Sequence, residues 1–170
     1  MKTALLLVLI AAPAFADDGL RNWFDDPFFA VTADIAGCPL PAGPFVDEAG
    51  RREQSHRRAE KGTTCWLAGE CDRPKAYAYD REIAARLQAL LPARFAGTSL
   101  WVTVQGRVVY VEGCTDRPGL DAEIESLVRG VEGVQQAIAI VRDDPKGRVP
   151  YRLRMPSQGS PRSAGAVSHR

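Results

Sequence analysis

The stretch "WVTVQGRVVYVEG", Trp101 to Gly113, decides the fold. Leu100, Val102 and Val104 alternate with Trp101 and Thr103, the period-two pattern of a strand with two distinct faces. Either Gln105-Gly106 or Gly106-Arg107 then supplies a two-residue turn, since glycine tolerates positive φ. Val108, Val109, Tyr110 and Val111 return without a polar break, which predicts a strand buried on both faces and therefore central.

The flanks complete a small domain. Upstream, "YDREIAARLQALL" sets Ile83, Leu87, Leu90 and Leu91 on one helical face, with Asp80 at the N-cap position and Pro92 as terminator. Downstream, "GLDAEIESLVRGV" sets Leu120, Ile124, Leu127, Val128 and Val131 on one face, with Asp116 and Pro118 at its start and Gly130 or Gly133 at its end. Val134, Ile138 and Ile140 then mark a last strand. The order helix, strand, strand, helix, strand predicts an α+β fold, αββαβ. A crossover from the second strand to the third makes that pairing parallel, and two helices cover one face of a three-stranded mixed sheet.

The remainder of the 170 residues divides by composition. "MKTALLLVLIAAPAFADD" has Lys2, an apolar run, and Ala14 and Ala16 before Asp17-Asp18, the layout of a secretory signal over residues 1–16. "IAGC", Ile35 to Cys38, looks like a lipid-attachment box, but Asp25, Asp26 and Asp34 deny it the required apolar lead-in. Residues 17–76 read as a cysteine-bearing arm. "CPLPAGPF" is extended or turning, and "VDEAGRREQSHRRAEKG" suits a short exposed helix capped by Asp47 and stopped by Gly62. "CWLAGEC" reads as a compact loop. Trp23, Phe24, Phe28 and Phe29 are expected to pack on the small domain, because its core has few large apolar residues to spare. Residues 145–170 form a basic, mostly disordered tail, with a short extended piece over 149–155.

Cys38, Cys65, Cys71 and Cys114 are even in number, which in an exported chain reads as two disulfides. Of three possible pairings, the short loop favours Cys65–Cys71, with Cys38–Cys114 tying the arm to the strand pair. His56, Glu60, Cys65 and Cys71 form a conceivable zinc set, but export and the even cysteine count favour sulfur bridges, so no metal or cofactor is assigned. No catalytic group is assigned either: paired cysteines are not nucleophiles, and no glycine-rich phosphate loop follows a strand. Adjacent acids such as Asp25-Asp26 are expected to be solvated or capping. Arg51, Arg52, Arg57, Arg58 and Lys61 cluster around His56 and are the candidate contacts to an anionic surface, the alternative being a solvated helix with Glu53 and Glu60 as local partners. Net charge near zero and an export signal argue against nucleic acid.

The segment from Tyr77 to about Asp143 resembles the BON domain family of bacterial envelope proteins. The residues that carry the likeness are "DREIAARLQALL", the strand–turn–strand "VTVQGRVVYVEG" with Gly106 at the family's hairpin glycine, and "VEGVQQAIAIV" with its Gly133-Val134 pair. Gly113 lies near the family's second glycine, one residue further from Gly106 than is usual, and Ala137 stands where a larger apolar residue is commoner. The likeness implies a single-copy, non-enzymatic αββαβ module at residues 77–144. It also implies a periplasmic location, peripheral on a membrane, and association with phospholipid or envelope surfaces in support of envelope integrity and stress response. The alternative function is a protein-interaction module within a periplasmic or secretion assembly.

Overall fold

The structure is a computed structural model that describes residues 19–144 and 146–154. The secretory signal at 1–16 and the tail from 155 onward lie outside the described residues. The fold is α+β: a mixed sheet with helices on both sides. In chain order the elements are β1 (Phe28–Ala33), α1 (Glu48–Leu67), a 3-10 turn (Ala76–Tyr79), α2 (Asp80–Arg94), β2 (Ser99–Gln105), β3 (Val108–Cys114), α3 (Leu120–Arg129) and β4 (Gln136–Arg142).

The sheet has four strands where the pattern predicts three. The order is β1-β2-β3-β4, with β1 antiparallel to β2 and β2 antiparallel to β3; β3 and β4 are parallel, as the crossover requires. The extra strand comes from the arm. Phe28 pairs with Thr103 and Ala33 with Ser99, and the register slips between Ala30 and Thr32. "FFAVTA" is too short and too weakly alternating to announce itself, and it becomes a strand because the β2 edge is there to receive it. As expected, β3 is central: Val108, Val109 and Val111 are buried.

One face of the sheet carries the core. Leu100, Val102 and Val104 of β2, Val109 and Val111 of β3 and Ala137 of β4 meet Ile83, Leu87 and Leu91 of α2 and Ile124 and Val128 of α3. Phe95, fully buried, closes the end of α2. Pro92 does not stop that helix, which runs to Arg94; the proline sits in the last turn, where the ring is exposed and only one ladder bond is lost. The helix α1 is also longer than expected, because Gly62 is inside it rather than after it. A Cβ at Gly62 would come within 3.1 Å of the Tyr77 ring, so the glycine serves helix packing.

The hairpin turn is Gly106-Arg107, both with positive φ (60° and 67°), the type I′ geometry that matches strand twist. Arg107 is held in this unfavourable region by Asp80. That residue does not cap α2 from the N-cap position; it lies in the first turn and accepts the amides of Gly106 (2.6 Å) and Arg107 (2.8 Å). Arg107 Nε also donates to Gly133 O (2.8 Å), so one residue joins the turn to the approach of β4. Burial holds the Asp80 carboxyl above its ordinary range, against the pull of both amides. At Gly113 the reason for glycine is close approach: a Cβ there would stand 2.0 Å from Ser99 O on the paired strand.

Both disulfides take the favoured pairing, Cys38–Cys114 and Cys65–Cys71, and no described cysteine is free. The first closes a separation of 76 residues, worth about 4 kcal/mol in the chain-entropy account. It fixes the arm to the end of β3. The expected extended piece near the C-terminus pairs with the arm. Ala42 N donates to Arg152 O (2.7 Å), Arg154 N donates to Leu40 O (3.2 Å), and Pro41 bridges Leu153. Tyr151 is buried beneath this strap, its hydroxyl donating to Pro39 O (2.8 Å) and lying 3.6 Å from the sulfurs of Cys38 and Cys114.

Asp80→Ala strips the acceptor from two backbone amides at once. It is expected to lower stability by about 2 kcal/mol or more, with Asp80→Asn, which keeps one acceptor oxygen, falling between the two in urea denaturation.

Candidate functional site

The face of the sheet opposite the core is built differently. Trp101, Thr103 and Gln105 of β2 lie beside Glu112, Tyr110 and Val108 of β3, and Ile140 and Ile138 of β4 continue the first two rows. Polar and aromatic residues here alternate with the core valines, as the strand period requires. The helix α1 stands over this face, the arm and the strap wall one side, and a groove remains between them.

Two cavities make up the groove. One, of about 330 Å³, is floored by Thr103, Tyr110, Glu112 and Ile140 and walled by Gln54 and Tyr151. The other, of about 210 Å³, is lined by Arg57, Arg58, Lys61 and Tyr77. Gln54, Gln105 and Tyr110 belong to both, so the two are continuous.

Arg58 is the post on which this arrangement stands. Its guanidinium bonds Asp26 through both nitrogens (2.8 and 2.6 Å), with the side chains 11% and 3% exposed. It is stacked between the rings of Phe24 (4.0 Å) and Tyr77 (4.3 Å). Gln105 Nε2 adds a third bond to Asp26 (3.0 Å), and Asn22 both accepts from the Asp26 amide (3.0 Å) and donates to its carbonyl (2.8 Å). The sequence reading therefore needs correction at two points. Asp26 is not a solvated acid, and Arg58 is not a surface contact; each is turned inward because the other is there. The neighbouring Asp25 is exposed and pairs with Arg81.

The other cluster residues are placed as follows. Arg51 and Arg52 are paired with Glu48 (2.5 and 3.6 Å), Arg51 also lying over the Trp23 ring (5.6 Å), and the exposed Arg57 pairs with Glu53 (3.3 Å) at the edge of the groove. Lys61 is half-buried and makes no ion pair or hydrogen bond among the described residues; burial draws its ammonium below the ordinary lysine range. At the far end of the groove Glu112 is likewise half-buried with no hydrogen bond or ion pair among the described residues. Burial raises its carboxyl, and Arg152 opposes that only through space. Burial also raises the Tyr110 phenol. Thr103 is 6% exposed, and its Oγ1 has no partner among the described residues. The groove is thus a strip of polar groups with an acid at one end and a base at the other.

Of the arm aromatics, Phe29 packs on the core as expected, whereas the others pack within the arm: Phe28 meets Phe45 edge to face (5.8 Å), Phe24 lies against Arg58 (4.0 Å), and Trp23 Nε1 donates to Val46 O (2.8 Å). At the distal end of α1, Trp66 and Leu67 are exposed (47% and 81%) beside the Cys65–Cys71 bridge. That bridge removes both sulfurs from the conceivable zinc set, and among the described residues no three His, Cys, Asp or Glu side chains converge as a metal would need. Among the described residues no helix is long and apolar enough to cross a membrane. Compared with protein families, with curated proteins and with solved structures, the chain matches none.

Sequence reasoning singled out Arg58 and Lys61 and missed Glu112, Thr103 and Tyr110. A signal for the latter was present: Thr103 and Gln105 alternate with core valines, and Glu112 sits on the same face of its strand as Tyr110.

Arg58→Ala is expected to destabilise the fold by about 3 kcal/mol or more, because Asp26 is left buried and unpaired. Arg57→Ala, an exposed pair, is expected to cost less than about 0.5 kcal/mol in the same denaturation assay. Glu112 ionises at higher pH in the folded than in the unfolded chain, so stability is in place at acid pH and is lost as pH rises through the folded value. Glu112→Gln is accordingly expected to raise Tm at pH 7, with the gap to the wild type closing as pH falls to about 4.

Proposed function

We propose that this chain is an exported, non-catalytic envelope protein, a single BON-like αββαβ module extended by its cysteine-bearing arm, that sits peripherally on anionic phospholipid surfaces and supports envelope integrity. The observation that carries the reading is the solvent side of α1. Arg52 is exposed there, and the helix ends in exposed Trp66 and Leu67, held by a sulfur-closed loop whose cysteines lie six positions apart. An indole with an aliphatic neighbour suits the boundary between headgroup and acyl chain. Each cation near an anionic leaflet adds about 1 kcal/mol. Glu48, Glu53 and Glu60 offset part of that charge, so the association is weak and sensitive to salt.

Two further observations support the reading. Two disulfides suit an oxidising compartment. The core formed by α2, β2, β3, α3 and β4 has the element order of the resembled family. A second reading, a protein-interaction module of a periplasmic or secretion assembly, is favoured by Leu40 and Leu153, which lie exposed on the paired arm and strap.

The oxidised protein is expected to sediment with vesicles containing phosphatidylglycerol at low salt and to be released as salt is raised. Trp66→Ser with Leu67→Ser, and separately Arg52→Glu, are each expected to weaken sedimentation severalfold. Equal binding to purely zwitterionic vesicles, or none at low salt, removes the membrane reading.

A further inference from the structure

The groove on the second face is unlike the membrane-facing side of α1, and its chemistry is of another kind. Among the charges that line it, Glu112 at one end and Lys61 at the other are half-buried and lack ion pairs among the described residues, whereas Arg57 and Arg58 beside Lys61 are paired with Glu53 and Asp26. A fold gains nothing from withdrawing two opposite charges from water and keeping them apart. Between them lie Thr103, with its buried hydroxyl unpartnered among the described residues, the phenol of Tyr110, and the amides of Gln54 and Gln105. Gln105 uses one N–H on Asp26; its carbonyl oxygen and the whole Gln54 amide have capacity for a ligand.

From this we infer that the groove binds a short extended peptide with both ends free, its terminal ammonium at Glu112 and its terminal carboxylate at Lys61. The spacing sets the length. Glu112 and Tyr110 are two residues apart on one strand face, and Lys61 lines cavities with both Tyr110 and Val108. At about 3.3 Å per residue, the Tyr110 and Val108 positions that share cavities with Lys61 lie about 7 to 13 Å along β3 from Glu112. An extended chain rises by the same amount per residue, so three or four residues span the gap. A phosphoethanolamine headgroup is excluded by the same measure, because its opposite charges are only a few bonds apart. Side-chain amides facing a strip of peptide bonds supply a donor and an acceptor each, which apolar lipid tails do not use. The exposed Arg152 lines the same cavity as Glu112.

The inference is independent of the membrane reading. Trialanine is the probe, titrated into the oxidised, isotope-labelled protein and followed by amide shifts. Saturable changes at Tyr110 and Glu112 of β3, with α2 and α3 unmoved, are expected. N-acetyl trialanine is expected to bind at least tenfold more weakly to the wild type, and trialanine amide likewise. In Glu112→Gln the loss on acetylation disappears; in Lys61→Gln the loss on amidation disappears. Glu112→Gln removes a poorly solvated charge and leaves the fold intact, so a missing response in that variant reports on the site. The proposal is overturned if trialanine gives no saturable shifts at millimolar concentration, or if blocked peptides bind as well as the free one. It is equally overturned if acetylation costs the same in Glu112→Gln as in the wild type.

Discussion

The orientation of the second layer of this protein is set by the guanidinium of Arg58. Arg58 reaches from the middle of α1 to Asp26, two residues before β1, and Asp26 also receives Gln105 from the last position of β2. One ion pair thereby links helix, edge strand and hairpin. A buried pair of this kind is weak evidence for stability in itself, since desolvating two charges offsets most of their attraction. Its value lies in geometry. The bidentate bond and the two flanking rings permit one orientation of the arginine, and α1 can therefore lie over the sheet in one place. The groove exists because the helix is held by a post and not by a continuous apolar seam.

The two faces of the sheet consequently obey different rules. On one side, aliphatic residues of α2 and α3 close against alternate residues of β2, β3 and β4, and that side is filled. On the other, the roof rests on discrete ties: the Arg58 pair, the Cys38–Cys114 bond and the backbone pairing of arm with strap. Ties at separate points leave space between them. Glu112, Lys61 and Thr103 keep polar groups without a partner among the described residues around that space, at a cost in stability that a purely structural layer would have shed.

The filled side was legible in the sequence. Its helices show an apolar period, its central strand is an uninterrupted run of valine and tyrosine, and its hairpin contains a glycine at the needed position. The roofed side was legible only in parts. Loop length favoured the observed cysteine pairing among three, and the scarcity of large core residues foretold the packing of Phe29 but not of its aromatic neighbours, which pack within the arm. The strand β1 was not visible, because six residues of mixed character become a strand only when an edge is offered. The length of α1 was hidden by Gly62, whose role depends on Tyr77, fifteen positions away in sequence. The buried state of Arg58 was hidden for the same reason. Local composition marks it as one of five cations, and only Asp26, brought back by the arm, distinguishes it from Arg57. Pro92 and Asp80 misled at the helix ends because their partners, the last turn of α2 and the amides of the hairpin, are set by tertiary contact.

The placement of β1 fixes an order of events in the growing chain. The arm is synthesised long before the strand that receives it, and Cys38 must wait for Cys114. Without β2 the sequence "FFAVTA" has nowhere to dock, and until it docks, β2 presents an open hydrogen-bonding edge to any neighbour. Only afterwards can the strap lay Tyr151 across the joined sulfurs. The arm is thus made well before the strand and the cysteine that secure it, and a chain in which β2 is still uncovered is open to mispairing with its own copies.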